Sequence, residues 1–353
     1  MLPGVLVVAY VWTHALFSKS FGIVQIEGGR KRIILPYQAS LFATHQRLRE
    51  TSALRSADHI LLVCGERVGN VQTHPGIRVV KFNCTEIDRA ALGKGLNWPC
   101  MYRLASMRLT QYARILMLDF DVYIAADILG VFQHPAPAMV RWESPVAGPY
   151  QPNGGVHLLA PDDRLYAAAL GWLQKLPVAS AQQRRRLLYN MRTPWGSFNN
   201  LTQATQPNAH LVQAGDSDQH FFFTLYNVLE VDSFGPLHEL PYSYNVKHYM
   251  LQQKQWSAAM YLTFMSKPEQ GFMRIIHFNR DKPWEKTQCG PFQHAFWHAA
   301  RRAVAEVGAH APPGLAEYVA DGQRHEDAKP CVRGAITPGV HVRTQRLEHL
   351  PHT

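Results

Sequence analysis

Arg114-Ile-Leu-Met-Leu-Asp119-Phe-Asp121-Val-Tyr-Ile124 is the stretch whose reading decides the fold. A mostly apolar run leads straight into two acids spaced i, i+2. In an extended strand, successive side chains alternate faces, so Asp119 and Asp121 share one side and Phe120 takes the other. Two parallel carboxylates at the end of a buried strand suit a hard divalent cation, which takes oxygen ligands and bridges to phosphates. Spacing alone is weak evidence, because Asp216-Ser217-Asp218 repeats it without the apolar leader. The leader is what favours the first pair.

The chain has 353 residues, 46% hydrophobic and 18% charged, enough apolar material for a sizeable core. Its formal charge is +10, and residues 1–118 hold 15 basic against 6 acidic side chains. The basic residues are scattered among apolar ones. That pattern fits a pocket receiving an anionic ligand better than a nucleic-acid or membrane surface, and no nucleic acid is expected as partner. Five cysteines, irregularly spaced, give neither a zinc pattern nor a disulfide framework, and Cys64 reads as a core residue. The sequons at Asn83 and Asn200 argue only weakly for a secretory compartment. Residues 1–17 are apolar without a charged leader, and residues 5–11 read as a first buried strand; a truncated anchor is the alternative. Neither a signal peptide nor a membrane span is convincing, so cytoplasm and secretory lumen both stay open.

Outward from the opening stretch, residues 37–50 have helical spacing, 59–64 and 77–82 read as strands, and 100–112 return to helix. Alternation of this kind predicts an α/β domain with a largely parallel sheet. Further on, 126–132 read as a short helix, 139–142 and 156–159 as strands, 162–176 as a helix, 218–227 as an aromatic-rich helix, 229–234 and 273–278 as strands, and 292–307 as a helix. Residues 177–214 read as a long inserted loop or lid, with a plain solvated insertion as the alternative. Residues 308–353 show no periodicity and are expected to be a disordered tail.

His277 ends a strand, and Lys282 follows five residues later. A histidine there is commonly a satisfied core residue. With two carboxylates it would also suit a borderline cation such as manganese, and Lys282 could neutralise a diphosphate as a point charge. Asn153-Gly154-Gly155 is by itself a turn. Asp218 could serve only the dipole of the helix it opens. His294 and His298 lie i, i+4, but no Glu follows His294, so the zinc-protease pattern fails. P-loop, dinucleotide and nucleophile-elbow signatures are absent from the sequence.

Taken in order, Tyr102-Arg-Leu-Ala-Ser-Met-Arg-Leu-Thr-Gln-Tyr112, the Asp119 to Asp121 run, Asn153-Gly-Gly-Val156, Gly215-Asp-Ser-Asp-Gln219, Leu240-Pro-Tyr-Ser-Tyr-Asn245 and His277-Phe-Asn-Arg-Asp-Lys-Pro-Trp284 resemble the glycogenin-like, family 8 glycosyltransferases. The resemblance implies a GT-A fold over residues 1–307 as one catalytic domain: a mainly parallel central sheet flanked by helices. It also implies a UDP-sugar donor, manganese (Mn2+, with Mg2+ as substitute), and transfer to a hydroxyl acceptor with retention. By the same resemblance, Asp119, Asp121 and His277 are metal ligands. Arg103, Phe120, Asn153, Gly154 and Lys282 lie on the donor, and Asp218 and Gln219 at the catalytic side. The acceptor is a glycan, protein or small molecule, and a dimer is compatible. Arg280 stands where the family usually has glycine, and Gly215 where it has an acid. The competing expectations are another metal-dependent nucleotide enzyme, such as a nucleotidyltransferase, and a catalytically degenerate binding protein.

Overall fold

Two strands of the central sheet are apolar at nearly every position, and their alternate residues enter different packing clusters. In β2 (Asp58–Cys64) and β4 (Arg114–Leu118), Leu61, Val63, Leu116 and Leu118 join one cluster, while Ile60, Leu62, Ile115 and Met117 join another. Both faces of the sheet are therefore covered, as a parallel sheet requires. The structure is a computed structural model, describing residues 6–12, 35–51, 53–64, 73–91, 98–142, 151–175, 221–222, 225–226, 236–248, 273–278, 282–284 and 291–327.

The elements, in chain order, are β1 (Leu6–Trp12), α1 (Leu35–Thr51), β2, β3 (Ile77–Phe82), α2 (Thr85–Ala91), β4, β5 (Val122–Ile124), β6 (Ala138–Trp142), β7 (Gln151–Leu159), α3 (Asp163–Lys175), β8 (His238–Leu240), β9 (Val246–Lys247), β10 (Ile275–His277), α4 (Pro291–Val307) and α5 (Leu315–Asp327). The main sheet runs β3-β2-β1-β4-β7-β6-β8. Strands β1 to β4 are mutually parallel where they pair, β7 is antiparallel to β4 and β6, and β8 is parallel to β6. A second sheet, β5-β10-β9, takes over where β4 ends. This is the mainly parallel α/β architecture the sequence predicts. Among the described residues, no helix is long and apolar enough to cross a membrane.

Helix α1 is buried almost all round, and its polar stripe has a purpose. Ser40, Thr44 and Arg47 recur at helical spacing and donate to carbonyls along one edge of β5. Ser40 Oγ bonds the Phe120 carbonyl. Thr44 Oγ1 reaches Val122 O at 3.1 Å, and Arg47 Nε and Nη2 reach Ile124 O at 2.9 Å and Ala125 O at 3.2 Å. The other edge of β5 pairs with β10. An edge strand whose carbonyls would otherwise go unpaired in a dry interior is satisfied by helix side chains.

Three expectations change. The acids of the opening stretch do not sit in a strand: β4 stops at Leu118, and Asp119, Phe120 and Asp121 form the turn that passes from the main sheet to β5. Cys64 and Cys84 are disulfide-bonded, with Cα atoms 5.4 Å apart. Cys64 ends β2 opposite Phe82, the last residue of β3, and its bond is to Cys84, two residues past that strand end. The aperiodic tail is helical at α5, which packs Leu315 and Val319 into the core beside α4; residues 328–353 lie outside the described residues. Where residues 100–112 read as helix, the chain is helical over 98–108, in the 3-10 form. The 177–214 excursion and the 229–234 strand also lie outside the described residues, while residues 221–222 and 225–226 are helical as read.

Candidate metal and donor site

The turn after β4 and the end of β10 bring three ligand-bearing residues together. One ligand atom from each of Asp119, Asp121 and His277 lies within 4.8 Å of the others. The register explains it: His277 pairs antiparallel with Val122, the residue that follows Asp121, and Phe278 N–H bonds Asp121 O at 2.8 Å. His277 Nε2 is 3.3 Å from Asp121 Oδ1 and 3.7 Å from Asp119 Oδ2.

The other ring nitrogen fixes the tautomer. His277 Nδ1 lies 2.9 Å from Asn245 Oδ1, an amide oxygen that can only accept. Nδ1 therefore carries a proton, and Nε2 is the ring atom that faces the two carboxylates. Asn245 is fully buried at the end of the Tyr242–Tyr244 3-10 turn, and its N–H bonds Tyr242 O at 2.9 Å. Its role was not assigned from sequence, although it closes the Leu240–Asn245 motif; the available signal was an amide just before a short strand that pairs with the one carrying His277.

Strand β7 supplies the floor. Met139 pairs with His157 but Val140 with Asn153, so residues 154–156 bulge out of the β6 ladder. Asn153 Oδ1 accepts from Gly155 N–H at 2.9 Å, and Gly155 O accepts from Asp119 N–H at 3.0 Å. Asn153 to Gly155 is thus a bulge in a strand and not a turn between elements, and bulges commonly re-aim chain beside functional sites. A methyl group on Gly155 would fall 2.3 Å from His277 Cε1.

Two cations flank the acids. Arg103, from the 3-10 helix, bonds both Asp119 and the Gly154 carbonyl. Lys282 bonds Asp121. Burial alone would raise the Asp121 carboxyl, but Lys282 and His277 outweigh it and hold the group below the ordinary carboxylate range. Beside this cluster, Tyr37 packs against Phe120 and Trp284, with ring centroids 5.7 and 5.1 Å away. An aromatic wall thus borders the charged centre.

The structure brings together Asp119, Asp121, His277, Arg103, Gly154 and Lys282, with Asn153 and Phe120 alongside. Asp218, Gln219 and Arg280 lie outside the described residues. The donor chemistry fits a divalent cation. Three acceptor atoms converge on one point, and two carboxylates with one imidazole suit a borderline metal. Arg103 and Lys282 supply the neutralising charge that such an ion would take over.

No protein-family model and no curated protein matches the sequence. Solved structures do. The bifunctional glycosyltransferase WbbM aligns at TM-score 0.51 and 12% identity over 92% of this chain and 52% of its own. The chain thus spans about half of that protein. The galactosyltransferase LgtC aligns at TM-score 0.46 and 12% identity, covering 88% of this chain and 99% of its own, and mouse xyloside xylosyltransferase 1 at TM-score 0.41 and 14% identity, covering 79% and 98%. This chain therefore has a GT-A fold.

Proposed function

We propose that this protein is a metal-dependent glycosyltransferase that moves a sugar from a UDP-sugar donor to a hydroxyl acceptor with retention, in the manner of family 8. The observation that carries the reading is the convergence of His277 Nε2 with the Asp119 and Asp121 carboxylates, the ring's other nitrogen being held by Asn245.

Asp119, Asp121 and His277 would hold Mn2+, with Mg2+ as the alternative ion. Bound there, the ion would neutralise charge developing on the departing nucleoside diphosphate. Lys282, which bonds Asp121, would move to a diphosphate oxygen when the donor binds and neutralise it as a point charge. Arg103 ties the turn to the bulge, so the acids and the Gly154 carbonyl hold fixed relative positions. Preorganised charge of this kind needs no rearrangement as the bond breaks. Phe120, Tyr37 and Trp284 offer apolar surface beside the charged centre for the nucleoside end of the donor. Asn153 and Gly154 would face the sugar, with Asp218 and Gln219 on the catalytic side. We favour attack by the acceptor hydroxyl on the same face as the leaving diphosphate, whose oxygen takes the acceptor proton. Glucose, galactose, glucuronic acid, xylose and N-acetylglucosamine are the candidate sugars.

The test is donor hydrolysis with and without Mn2+, comparing wild type with Asp119→Ala and Asp121→Ala. Metal-dependent release of UDP that both substitutions abolish supports the reading; release of pyrophosphate would instead indicate nucleotidyl transfer. A binding protein for polyanions would show no turnover and binding that falls steeply with salt.

A further inference from the structure

The corner between β3 and α2 carries a short run that neither the sheet nor the metal site uses. Asn83-Cys84-Thr85 is an N-x-T triplet, the acceptor pattern for N-linked sugar. Asn83 is exposed, as are Lys81 before it and Glu86 after it, so the corner faces water. Asn83 Oδ1 accepts from Thr85 N–H at 2.9 Å. Only the oxygen of an amide can accept, and the bond therefore sets the amide's orientation: Oδ1 turns toward the first turn of α2 and Nδ2 turns away from it. Nδ2 is the atom to which a glycan is joined.

The middle residue of the triplet supplies a second, independent observation. Cys84 is fully buried and bonded to Cys64 at the end of β2. Both cysteines lie in the apolar cluster that holds Ile87 and Ala90 of α2 and Met101 and Tyr102 of the 3-10 helix. Disulfides form and persist in oxidising compartments and are rare where glutathione and thioredoxin keep thiols reduced. In a eukaryotic cell the lumen that oxidises such a pair is also the place where N-linked sugar is attached. A local triplet and a cross-link between residues 20 apart in sequence thus point to the same compartment, and they meet in one corner.

We propose that Asn83 is an N-glycosylation site and that the chain matures in an oxidising secretory lumen. The co-substrate is an oligosaccharide carried on a polyprenyl diphosphate. In the transfer, the bond from Asn83 Nδ2 to the first sugar's C1 forms and the C1–O bond to the carrier breaks. The polyprenyl diphosphate leaves with the electron pair, and Nδ2 gives up one proton. The product fits the fold, because Cys84 is buried in the core while Asn83, the residue before it, is exposed. Sugar and disulfide do not compete for space. Among the described residues β3 is the outermost strand of the main sheet on its side, three strands or about 14 Å from β4, so the glycan stands at the sheet's edge and clear of the acids. A bulky sugar at the end of an edge strand also hinders pairing of that edge with another chain.

The experiment is peptide mass spectrometry of the full chain isolated from its source cells. One portion is digested without reduction, to detect the Cys64–Cys84 link; the other is reduced, digested and treated with peptide N-glycosidase in 18O water. The expected result is a linked pair of cysteine peptides and an Asn83 converted to 18O-labelled aspartate. In parallel, the full chain carrying Asn200→Gln is directed into the lumen of a eukaryotic secretory host by an added cleavable signal sequence. It should lose the mass of one glycan on glycosidase treatment. Thr85→Ser should keep that shift, and Thr85→Ala and Asn83→Asp should abolish it. Asn83→Asp retains an acceptor for Thr85 N–H, so it should be recovered folded with the disulfide formed. The proposal is overturned if Asn83 from the source cells is unlabelled, if Cys64 and Cys84 are recovered there as free thiols, or if the shift survives Asn83→Asp or Thr85→Ala.

Discussion

Gly155→Ala is the smallest change that should weaken the metal site without substituting a ligand. The added methyl would stand 2.3 Å from Cε1 and 2.4 Å from Nδ1 of His277, and 3.2 Å from Asn153 Oδ1. Carbon atoms pack best at about 3.5–4.0 Å, so the ring must retreat by about 1 Å. It has nowhere to go: His277 is buried, its backbone pairs with Val122 and Lys247, and Asn245 holds Nδ1. The glycine is needed for space, since positive-φ glycines among the described residues are Gly308 and Gly314. Overpacking of this kind costs about 1–3 kcal/mol, and disturbing a ligand's orientation typically costs about 10–100-fold in metal affinity. The assay is Mn2+ titration followed by electron paramagnetic resonance, with thermal unfolding alongside. Gly171→Ala serves as the control, because nothing lies within 4 Å of that added methyl on α3; it should leave Mn2+ affinity unchanged and stabilise the helix by up to about 1 kcal/mol. A folded Gly155→Ala protein binding Mn2+ within about twofold of wild type would refute the claim that this bulge seats His277.

Further outcomes follow from the same geometry. Asn245→Leu removes the acceptor that fixes the His277 tautomer. It should weaken Mn2+ binding about 10–100-fold, with Asn245→Asp retaining more affinity, and 15N shifts of His277 in the metal-free protein should show the lost Nδ1–H preference. Lys282→Met removes both a donor contact and a cation that competes for Asp121. Donor kcat/KM should fall about 10–100-fold while Mn2+ binds as tightly as before or tighter; a parallel loss of both would contradict the assigned role. Burial holds His59 near a pKa of about 4 and His157 near about 3, so both stay neutral in the fold. The unfolded chain takes up those protons below about pH 6.5, so stability is complete above that pH and is lost as pH falls toward 4. The two rings together contribute a slope of about 3 kcal/mol per pH unit. Urea denaturation at pH 7, 6 and 5 checks this, and a flat profile would contradict it.

The apolar run before Asp119 announced a buried strand, and the His277–Lys282 pair announced its partner, because both signals are local in sequence. What brings them together is not local. The acids converge through a turn between two sheets, not through strand pleating, and only the β5–β10 register reveals it. Helical spacing over 37–50 does not reveal that Ser40, Thr44 and Arg47 are buried and satisfy the edge of β5. Cys64 and Cys84 looked unrelated because their bond depends on two neighbouring strands being in register. The tail helix α5 was missed because its Gly322 and scattered charges obscure the Leu315 and Val319 face that packs on α4. Gly322 itself is pressed against Trp297, where an added methyl would lie 2.4 Å from the indole.

The most direct measurement is a screen of UDP-sugars for donor turnover, with Mn2+ supplied or chelated, on wild type and on Asp121→Asn. The expected result is UDP release from at least one donor, dependent on the metal and lost in the variant. Turnover that persists in Asp121→Asn, or that yields pyrophosphate in place of UDP, would contradict it.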